Sequence, residues 1–305
     1  MDKFLISLLA VVSLCAGAFV GPHFNFVKDQ DDAVVRDLDN GRIVGGRTVD
    51  ISMYPHQVSL RFRSFQCTLC IRKHNCGGSI ISSTMIVTAA HCVKGMLPSQ
   101  FHVVAGDNQR QGSDGGIVPV KEIIMHEDFI PESYTNDIAL LKLATPLPLN
   151  NFTVKAIDLA DDVAKEGEIA TVTGWGSTGI KGLELLQEVK VPIVSNELCT
   201  KDHNDFISDD MMCAGYRGVG GKDSCSGDSG GPLVINGKLA GVVSWGFGCG
   251  LPEYPGVYAR ISYLLPWLLE KIAEYNAYKH TLNRLHVHEF EHAHNFLYCD
   301  VNNFF

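Results

Sequence analysis

Short runs of alternating apolar and polar residues fill the chain from residue 43 onward, and glycine, proline, asparagine and aspartate separate them. The run Gln57–Phe62 alternates with a period of two, which is typical of a strand with one buried face. The other strand candidates are Ser79–Thr88, Phe101–Ala105, Ile117–Met125, Ile138–Leu143, Ile169–Thr173, Leu186–Val194, Pro232–Ile235, Leu239–Ser244 and Gly256–Ile261. Many short strands between turn residues predict an all-β barrel or sandwich.

The spacing changes to a helical one between Tyr263 and Ala277. The apolar residues that recur there are Leu264, Leu265, Trp267, Leu268, Ile272 and Tyr275. We expect this segment to be a packing helix, and it is the helix that the pattern predicts. The 305 residues, 46% of them hydrophobic, suit one large or two small domains with a substantial core.

Residues 1–18 are predicted to be a secretory signal peptide. The run Phe4–Val20 is almost wholly apolar, follows Lys3 and contains Ala16-Gly17-Ala18, which fits a cleavage site between small residues. The alternative is a membrane anchor, but the run is shorter than the ~20 residues that a spanning helix needs. No other segment could span a bilayer. We therefore expect a secreted, extracellular protein with no membrane association.

Residues 19–42 form a short acidic segment that is too small to bury a core of its own, and we interpret it as a propeptide. The segment ends in Asn40-Gly41-Arg42, a turn sequence that a protease could cut. The formal net charge is -9, and no basic stripe indicates nucleic acid as a partner. Of the ten cysteines, Cys15 lies in the signal peptide and nine remain, so the exported chain should contain disulfides.

Three motifs carry candidate chemistry. They place His91 in TAAHC (residues 88–92), Asp137 in NDIALL (136–141) and Ser229 in DSCSGDSGG (223–231). A serine hydroxyl is a poor nucleophile and needs a base to accept its proton, and histidine can do this because imidazole titrates near neutrality. Small residues around Ser229 let the backbone turn sharply and leave the hydroxyl exposed.

At these motifs the chain resembles the trypsin-like serine proteases, whose catalytic residues occur in the order His, Asp, Ser. Four more motifs of that family follow in the expected order, namely IVGG at 43–46, GWG at 174–176, SWG at 244–246 and PGVY at 255–258. The resemblance covers about Ile43 to Tyr275 and implies a protease domain over residues 43–276. It also implies two six-stranded antiparallel β-barrels with a C-terminal α-helix, and an active site in the cleft between the barrels.

The resemblance further implies a role for each motif residue. His91 would be the base, Asp137 would orient its ring, Ser229 would form an acyl-enzyme, and the N–H groups of Gly227 and Ser229 would form the oxyanion hole. Asp223 matches the acid at the floor of the specificity pocket, which favours lysine or arginine in the substrate through charge-assisted hydrogen bonds. The other substrate-binding positions implied by the resemblance are Ser224, Ser244, Trp245, Gly246 and Gly256.

The resemblance implies that the chain is made as a zymogen. Asp228 would be buried and would need a positive partner, which cleavage after Arg42 creates as the new α-amino group of Ile43. Arg42 itself satisfies the predicted specificity, so autoactivation is a hypothesis. The implied disulfides join Cys76 to Cys92, Cys199 to Cys213, and Cys225 to Cys249. The remaining Cys67, Cys70 and Cys299 are odd in number, so at least one is free or intermolecular.

The loop 61–75 departs from the family because it is longer by about nine residues on our alignment. It carries Arg61, Arg63, Arg72 and Lys73. Either it is a basic loop, stiffened by a disulfide, that favours acidic residues after the scissile bond, or it is a solvated hairpin.

Residues 277–305 extend past the usual end of the family and are rich in histidine. This tail could bind a transition metal, but a disordered or loosely packed tail, or an error in the predicted coding end, is an alternative. The loop Gly106–Gly116 corresponds to the calcium loop of many trypsins, yet it has Asp107 and Asp114 and no glutamate. We expect no cofactor, and calcium is in doubt. Asn151-Phe152-Thr153 is a glycosylation sequon.

The sequence therefore predicts a monomeric secreted endopeptidase that acts on proteins and peptides after Arg or Lys, and that protein protease inhibitors would bind. A protease-like binding protein without activity is an alternative, but it would usually lack a member of the triad, and none is lost here. A regulatory protease with one target is another alternative. The plain single-domain layout favours a digestive role.

Overall fold

A computed structural model describes residues 43–64, 71–112, 115–176, 184–204 and 206–278. The strands are β1 (Arg47–Thr48), β2 (Gln57–Phe62), β3 (Lys73–Ser82), β4 (Met85–Thr88), β5 (Phe101–Ala105), β6 (Gly116–Met125), β7 (Ala139–Leu143), β8 (Asp158–Leu159), β9 (Ile169–Gly174), β10 (Gln187–Val194), β11 (Met211–Ala214), β12 (Pro232–Ile235), β13 (Lys238–Trp245) and β14 (Gly256–Arg260). The helices are α1 (Asn196–Asp202) and α2 (261–278).

Two closed β-barrels contain twelve of these strands. The first barrel has the order β2-β3-β4-β7-β6-β5, and every neighbouring pair is antiparallel. The second has the order β10-β11-β14-β13-β12-β9, and pairing of β9 with β10 closes it. The short strands β1 and β8 add to its outside, and β8 runs parallel to β13. The predicted fold of two six-stranded antiparallel barrels is confirmed.

Polar side chains are buried where the second barrel covers the first. In β2 the apolar residues Val58 and Leu60 point into the first core, but the alternating Gln57 is also fully buried. The Gln57 side chain accepts a hydrogen bond of 2.6 Å from Thr173 of β9, so it lies between the barrels. Buried polar groups are stable when they are hydrogen-bonded, and this contact fixes how the barrels meet at the cleft.

Helix α2 leaves the second barrel and packs against the first. Leu264 and Leu268 are almost fully buried in the first hydrophobic core. Trp267 donates a 2.6 Å hydrogen bond to Glu127, and Lys271 lies 2.7 Å from the same carboxylate. The predicted helix is therefore confirmed, and it joins the two barrels.

Three of the differences between the structure and the sequence prediction have a clear local reason. The predicted strand Ser79–Thr88 is a hairpin of β3 and β4, because the chain turns at residues 83–84. Helix α1 was not predicted because Cys199 is its one buried residue, so it lacks an apolar period. Strand β11 was missed because it has four residues, all of them buried, and shows no alternation.

Within the described ranges, we find no helix of the length and apolar character that a membrane span requires. The predicted signal peptide and propeptide, Cys67, Cys70, Cys299 and the tail from residue 279 lie outside the described residues.

Candidate active site

His91 and Asp137 are held together at the edge of the first barrel. His91 lies on a short 3-10 turn after β4, and Asp137 lies just before β7. The His91 Nδ1 atom is 2.7 Å from Oδ2 of Asp137, and the His91 main-chain N–H donates to Oδ1 at 2.8 Å. Ser244 donates its hydroxyl to the fully buried carboxylate at 2.6 Å. With Nδ1–H donating to Asp137, the neutral ring keeps the lone pair of Nε2 free to accept a proton.

A second acid, which the sequence analysis did not single out, supports Asp137. Asn136 has a left-handed backbone conformation with φ of 54°, and its N–H donates to Oδ2 of Asp210 at 2.6 Å. Asp210 is 3% exposed and comes from the second barrel, immediately before β11. This contact between the barrels fixes the turn that presents Asp137. No local motif marks Asp210, because its partner lies 74 residues away in sequence.

Ser229 lies on a tight turn that the second barrel presents to the same cavity. Gly227 and Gly230 have φ of 99° and 78°, which side chains rarely allow. The Ser229 carbonyl accepts from Gly77 of β3 at 2.7 Å. Ser229 is partly exposed and lines a cavity together with His91. Their side chains are not hydrogen-bonded in the described structure, and the His91 Nε2 lies 3.7 Å from Sγ of Cys92. Catalytic hydrogen bonds are often long without substrate and tighten in the complex.

The predicted oxyanion donors have no competing acceptor. Among the described residues, the N–H groups of Gly227 and Ser229 donate to no protein acceptor. The Gly227 carbonyl accepts from Nε2 of His74 at 2.8 Å, and the His74 Nδ1 is 2.8 Å from the Ser59 hydroxyl. Burial lowers the pKa of His74 to about 4, so its ring is neutral at physiological pH. A neutral ring that donates from Nε2 holds the Gly227 peptide in one orientation.

The cavity beside Ser229 has a volume of about 300 Å³ and contains every predicted substrate-binding residue. They are Asp223, Ser224, Ser244, Trp245, Gly246 and Gly256. Asp223 is 3% exposed, and burial raises its pKa to about 6. Its Oδ2 accepts from Gly250 at 2.9 Å, whereas its Oδ1 makes no direct hydrogen bond within the described ranges.

Two glycines keep the space above Asp223 open. A Cβ on Gly256 would lie 2.5 Å from Oδ1 of Asp223, and a Cβ on Gly246 would face the Gly256 Cα at 3.9 Å. Side chains at these positions would fill the cavity. The site can therefore admit a long side chain whose cationic end meets the Asp223 carboxylate.

An aromatic wall extends from this cavity. Tyr134 contacts the His91 ring edge-on, with centroids 5.5 Å apart, and stacks on Trp245 at 6.3 Å. His203, which stands where many trypsins have tyrosine, is fully buried behind Trp245 at 5.0 Å and contacts the Pro255 carbonyl at 2.9 Å. The imidazole thus takes part in the packing of the wall.

The segment that begins at Ile43 is inserted into the second barrel. Ile43 is fully buried, and Val44 and Asp223 exchange main-chain hydrogen bonds of 3.0 and 3.2 Å. Asp228 is also fully buried and accepts from the N–H groups of Gly176 and Cys225 at 2.7 and 2.9 Å. Burial raises the pKa of Asp228 to about 7, since no cationic side chain pairs with it in the described structure.

The three disulfides implied by the resemblance are present. The bond Cys76–Cys92 ties β3 to the His91 turn, and Cys225–Cys249 ties the Ser229 turn to the wall of the cavity. The remaining bond, Cys199–Cys213, joins α1 to β11. The two groups of potential metal ligands found among the described residues consist of disulfide cysteines with His91 or His203, so their sulfurs are not free to bind a metal.

The described part of the loop 106–116, residues 106–112 and 115–116, offers few side-chain ligands to calcium. Asp107 supplies its one described carboxylate, and that group is buried and accepts from the Gln109 N–H at 2.8 Å. The guanidinium of Arg61 lies beside this loop and donates to the Gly112 carbonyl at 2.8 Å. The fixed positive charge of Arg61 opposes the binding of a calcium ion. Calcium also prefers six to eight oxygen ligands.

The burial of Arg61 corrects the interpretation of the loop 61–75. The sequence analysis counted it among the basic residues of an exposed loop, but it is 6% exposed. Strand β2 continues through it, and its guanidinium donates to the Ser59 hydroxyl and to the Gly112 carbonyl instead of facing the solvent.

Comparison with known proteins agrees with this geometry. The Trypsin family matches residues 43–268. Trypsin zeta of Drosophila melanogaster is 50% identical over 277 residues, which cover 88% of this chain and 97% of that protein. Trypsin eta of the same species is 42% identical over 279 residues, covering 90% of this chain and 100% of that protein. The vitellin-degrading protease of Bombyx mori is 41% identical over 249 residues, covering 80% and 90% respectively. With a family match across most of the chain and the two-barrel fold in place, the chain belongs to the trypsin family of serine proteases with the chymotrypsin fold.

Proposed function

We propose that this protein is a secreted serine endopeptidase, made as a zymogen, that hydrolyses peptide bonds after arginine or lysine. The observation that carries the proposal is the buried acid Asp223, which lines the same cavity as Ser229 and His91. The Asp223 carboxylate has an oxygen without a direct partner, so a cationic side chain would complete its hydrogen bonding.

In the proposed reaction, Ser229 attacks the carbonyl carbon while the His91 Nε2 takes its proton. Asp137 keeps the ring in the required tautomer and stabilises the imidazolium. The negative charge that develops on the carbonyl oxygen is bound by the N–H groups of Gly227 and Ser229. His91 then protonates the leaving amine, and the acyl-enzyme on Ser229 is hydrolysed by water through the same steps.

The zymogen proposal rests on Asp228. A fully buried carboxylate without a cationic partner is unfavourable, which is why its pKa is raised. Cleavage after Arg42 would free the α-amino group of Ile43, a residue that is itself fully buried in the second barrel. That amine would pair with Asp228 and stabilise the adjacent oxyanion hole. Autoactivation is part of this proposal, since Arg42 satisfies the proposed specificity, and a purified Ser229→Ala zymogen should keep its propeptide.

The proposed partners follow from the site. A cavity lined by Ser229, His91 and Asp223 suits a side chain of a protein or peptide substrate, and the same surface would receive protein inhibitors of trypsin-family proteases. The catalytic residues all come from one chain, so we propose a monomer. A digestive role is part of the same proposal.

Cleavage of a peptide library by protein processed after Arg42 tests the proposed specificity. We expect cuts after arginine and lysine, and no cuts by the Ser229→Ala protein. Cleavage mainly after uncharged residues would overturn the assignment of Asp223, and activity that survives Ser229→Ala would overturn the proposed nucleophile.

A further inference from the structure

Arg61 is a buried cation between the loop 106–112 and the cleft. It lies in β2, pairs with His102 of β5, and is 6% exposed. Asp107 is close enough for its charge to act on the guanidinium, although burial is the stronger effect and lowers the pKa of Arg61. A buried arginine is costly unless it is paired and hydrogen-bonded, so its contacts are informative.

One side of the guanidinium fixes the loop. Its Nη1 donates to the Gly112 carbonyl at 2.8 Å. The Asp107 carboxylate lies against the same glycine, since a Cβ on Gly112 would be 2.3 Å from Oδ2 of Asp107. Arg61 therefore places a positive charge near the Asp107 carboxylate from the barrel itself.

The other side of the guanidinium begins a chain of hydrogen bonds that ends at the oxyanion turn. The Arg61 Nε donates to the Ser59 hydroxyl at 3.4 Å, Ser59 contacts Nδ1 of His74 at 2.8 Å, and Nε2 of His74 contacts the Gly227 carbonyl at 2.8 Å. Of the two intermediate side chains, Ser59 is 2% exposed and His74 is partly buried.

The two ends of this chain determine its direction. The Gly227 carbonyl can only accept, so Nε2 of His74 carries the proton and Nδ1 of the neutral ring accepts. The Ser59 hydroxyl must then donate to Nδ1, and its lone pair accepts from Arg61, which can only donate. The protons along this chain have one consistent arrangement, whereas Nη2 of Arg61 is buried and has no partner among the described residues.

We propose that Arg61 is a positioning residue for the oxyanion hole, acting through Ser59 and His74 on the peptide of Gly227. The proposal rests on the proposed hydrolytic function. Without Arg61, the Ser59 hydroxyl is free to turn away from His74, and the Gly227 peptide loses its fixed orientation. Transition-state stabilisation should suffer, whereas the binding of a cation to Asp223 should not.

The test compares two inhibitors of the protein processed after Arg42. The Ser229 hydroxyl adds to a peptide aldehyde ending in arginine, and the oxyanion of this adduct binds the N–H group of Gly227. Benzamidinium, in contrast, fills only the cavity above Asp223. For Arg61→Met and for Ser59→Ala we expect the inhibition constant of the aldehyde to rise about tenfold. This effect is smaller than the about 10²–10³-fold loss of kcat that removal of an oxyanion donor typically causes. The constant for benzamidinium should stay within about twofold, and kcat should fall with little change in KM.

Arg110→Met is the matched control. Arg110 lies in the same loop region and its charge also acts on His74, but it pairs at the surface with Glu184 at 3.2 Å and makes no bond to Ser59. It should leave both inhibition constants unchanged. Because Arg61 and Ser59 act in series, the double variant should be no worse than the more impaired single variant.

If Arg61→Met does not fold, Ser59→Ala alone tests the proposal, because Arg61 is proposed to act on His74 through the Ser59 hydroxyl. The proposal is overturned if the aldehyde binds the single variants as it binds the unmodified protein, if both inhibitors weaken together, or if the two substitutions multiply. If the unmodified protein hydrolyses no arginine substrate at all, the proposed function fails instead.

Discussion

Replacing Asp223 by asparagine removes the charge from the cavity and keeps its shape. In the folded protein, burial raises the pKa of this acid from 3.8 to about 6. A shift of about two pKa units corresponds to about 3 kcal/mol by which the ionised form is disfavoured. The proposed cationic side chain of a substrate would therefore pair with a buried carboxylate that has no cationic partner among the described residues.

The size of the effect follows from this pairing. Removing one partner of a buried ion pair costs about 3–5 kcal/mol. At 1.36 kcal/mol per factor of ten, kcat/KM for an arginine substrate should fall by about 10²–10⁴ in Asp223→Asn. A citrulline substrate has nearly the same shape and no charge, so its kcat/KM should stay constant or rise.

The assay is hydrolysis of matched arginine and citrulline peptides by the protein processed after Arg42. Asp161→Asn is the control, because this acid forms an exposed ion pair with Lys238 and is itself 65% exposed. The control should keep the preference of the unmodified protein. The reasoning is refuted if Asp223→Asn lowers hydrolysis of both peptides equally, or if the unmodified protein does not prefer arginine.

Three other predictions concern pH, calcium and Asp210. Because a proton and a cationic ligand compete for Asp223, with its pKa of about 6, benzamidinium should bind about tenfold more weakly for each pH unit below 6. Millimolar calcium should leave Tm unchanged against a chelator, whereas a site filled at 100 times Kd would add about 2.7 kcal/mol and raise Tm by about 5–10 °C. Asp210→Ala should lower kcat about tenfold at constant KM, since the Asn136 N–H loses its acceptor.

Each of these predictions has its own contradicting result. Inhibitor binding that is flat from pH 8 to 4.5 would mean that Asp223 does not hold the cation, and Asp223→Asn should show that flat profile. A saturable rise of Tm with calcium would refute the fit argument for the loop 106–112. For Asp210, the asparagine variant keeps an oxygen for Asn136 and should restore kcat. An asparagine variant as slow as the alanine variant would show that the hydrogen bond is not the cause.

Much of the fold and of the candidate site could be predicted because the information is local. The predicted strand Gln57–Phe62 has the bounds of β2, because alternating polar and apolar residues are typical of a strand, although both faces of β2 are largely buried. His91, Asp137 and Ser229 each stand in a distinct motif, and folding brings all three motifs to one cleft. The resemblance to a known family then supplied the disulfide pairs, which spacing alone could not determine.

What the sequence could not show depends on contacts between distant residues. Asp210 has no motif, and its role appears only where the second barrel meets the Asn136 turn. Arg61 follows a leucine and precedes a phenylalanine in an alternating run, which predicts an exposed face. It is buried because the loop 106–112 covers that face and supplies the Gly112 carbonyl and a nearby carboxylate. Periodicity reports one side of a strand and cannot show that a loop closes over the other.

The most direct test of the proposed mechanism is detection of the covalent acyl-enzyme intermediate. Protein processed after Arg42 would be mixed with a 4-guanidinobenzoate ester, whose cationic group fits the Asp223 cavity and whose acyl-enzyme hydrolyses slowly. The account predicts a rapid stoichiometric release of the alcohol and a guanidinobenzoyl group on the peptide that contains Ser229, with neither in Ser229→Ala. An adduct on another residue, or an equal burst from Ser229→Ala, would contradict it.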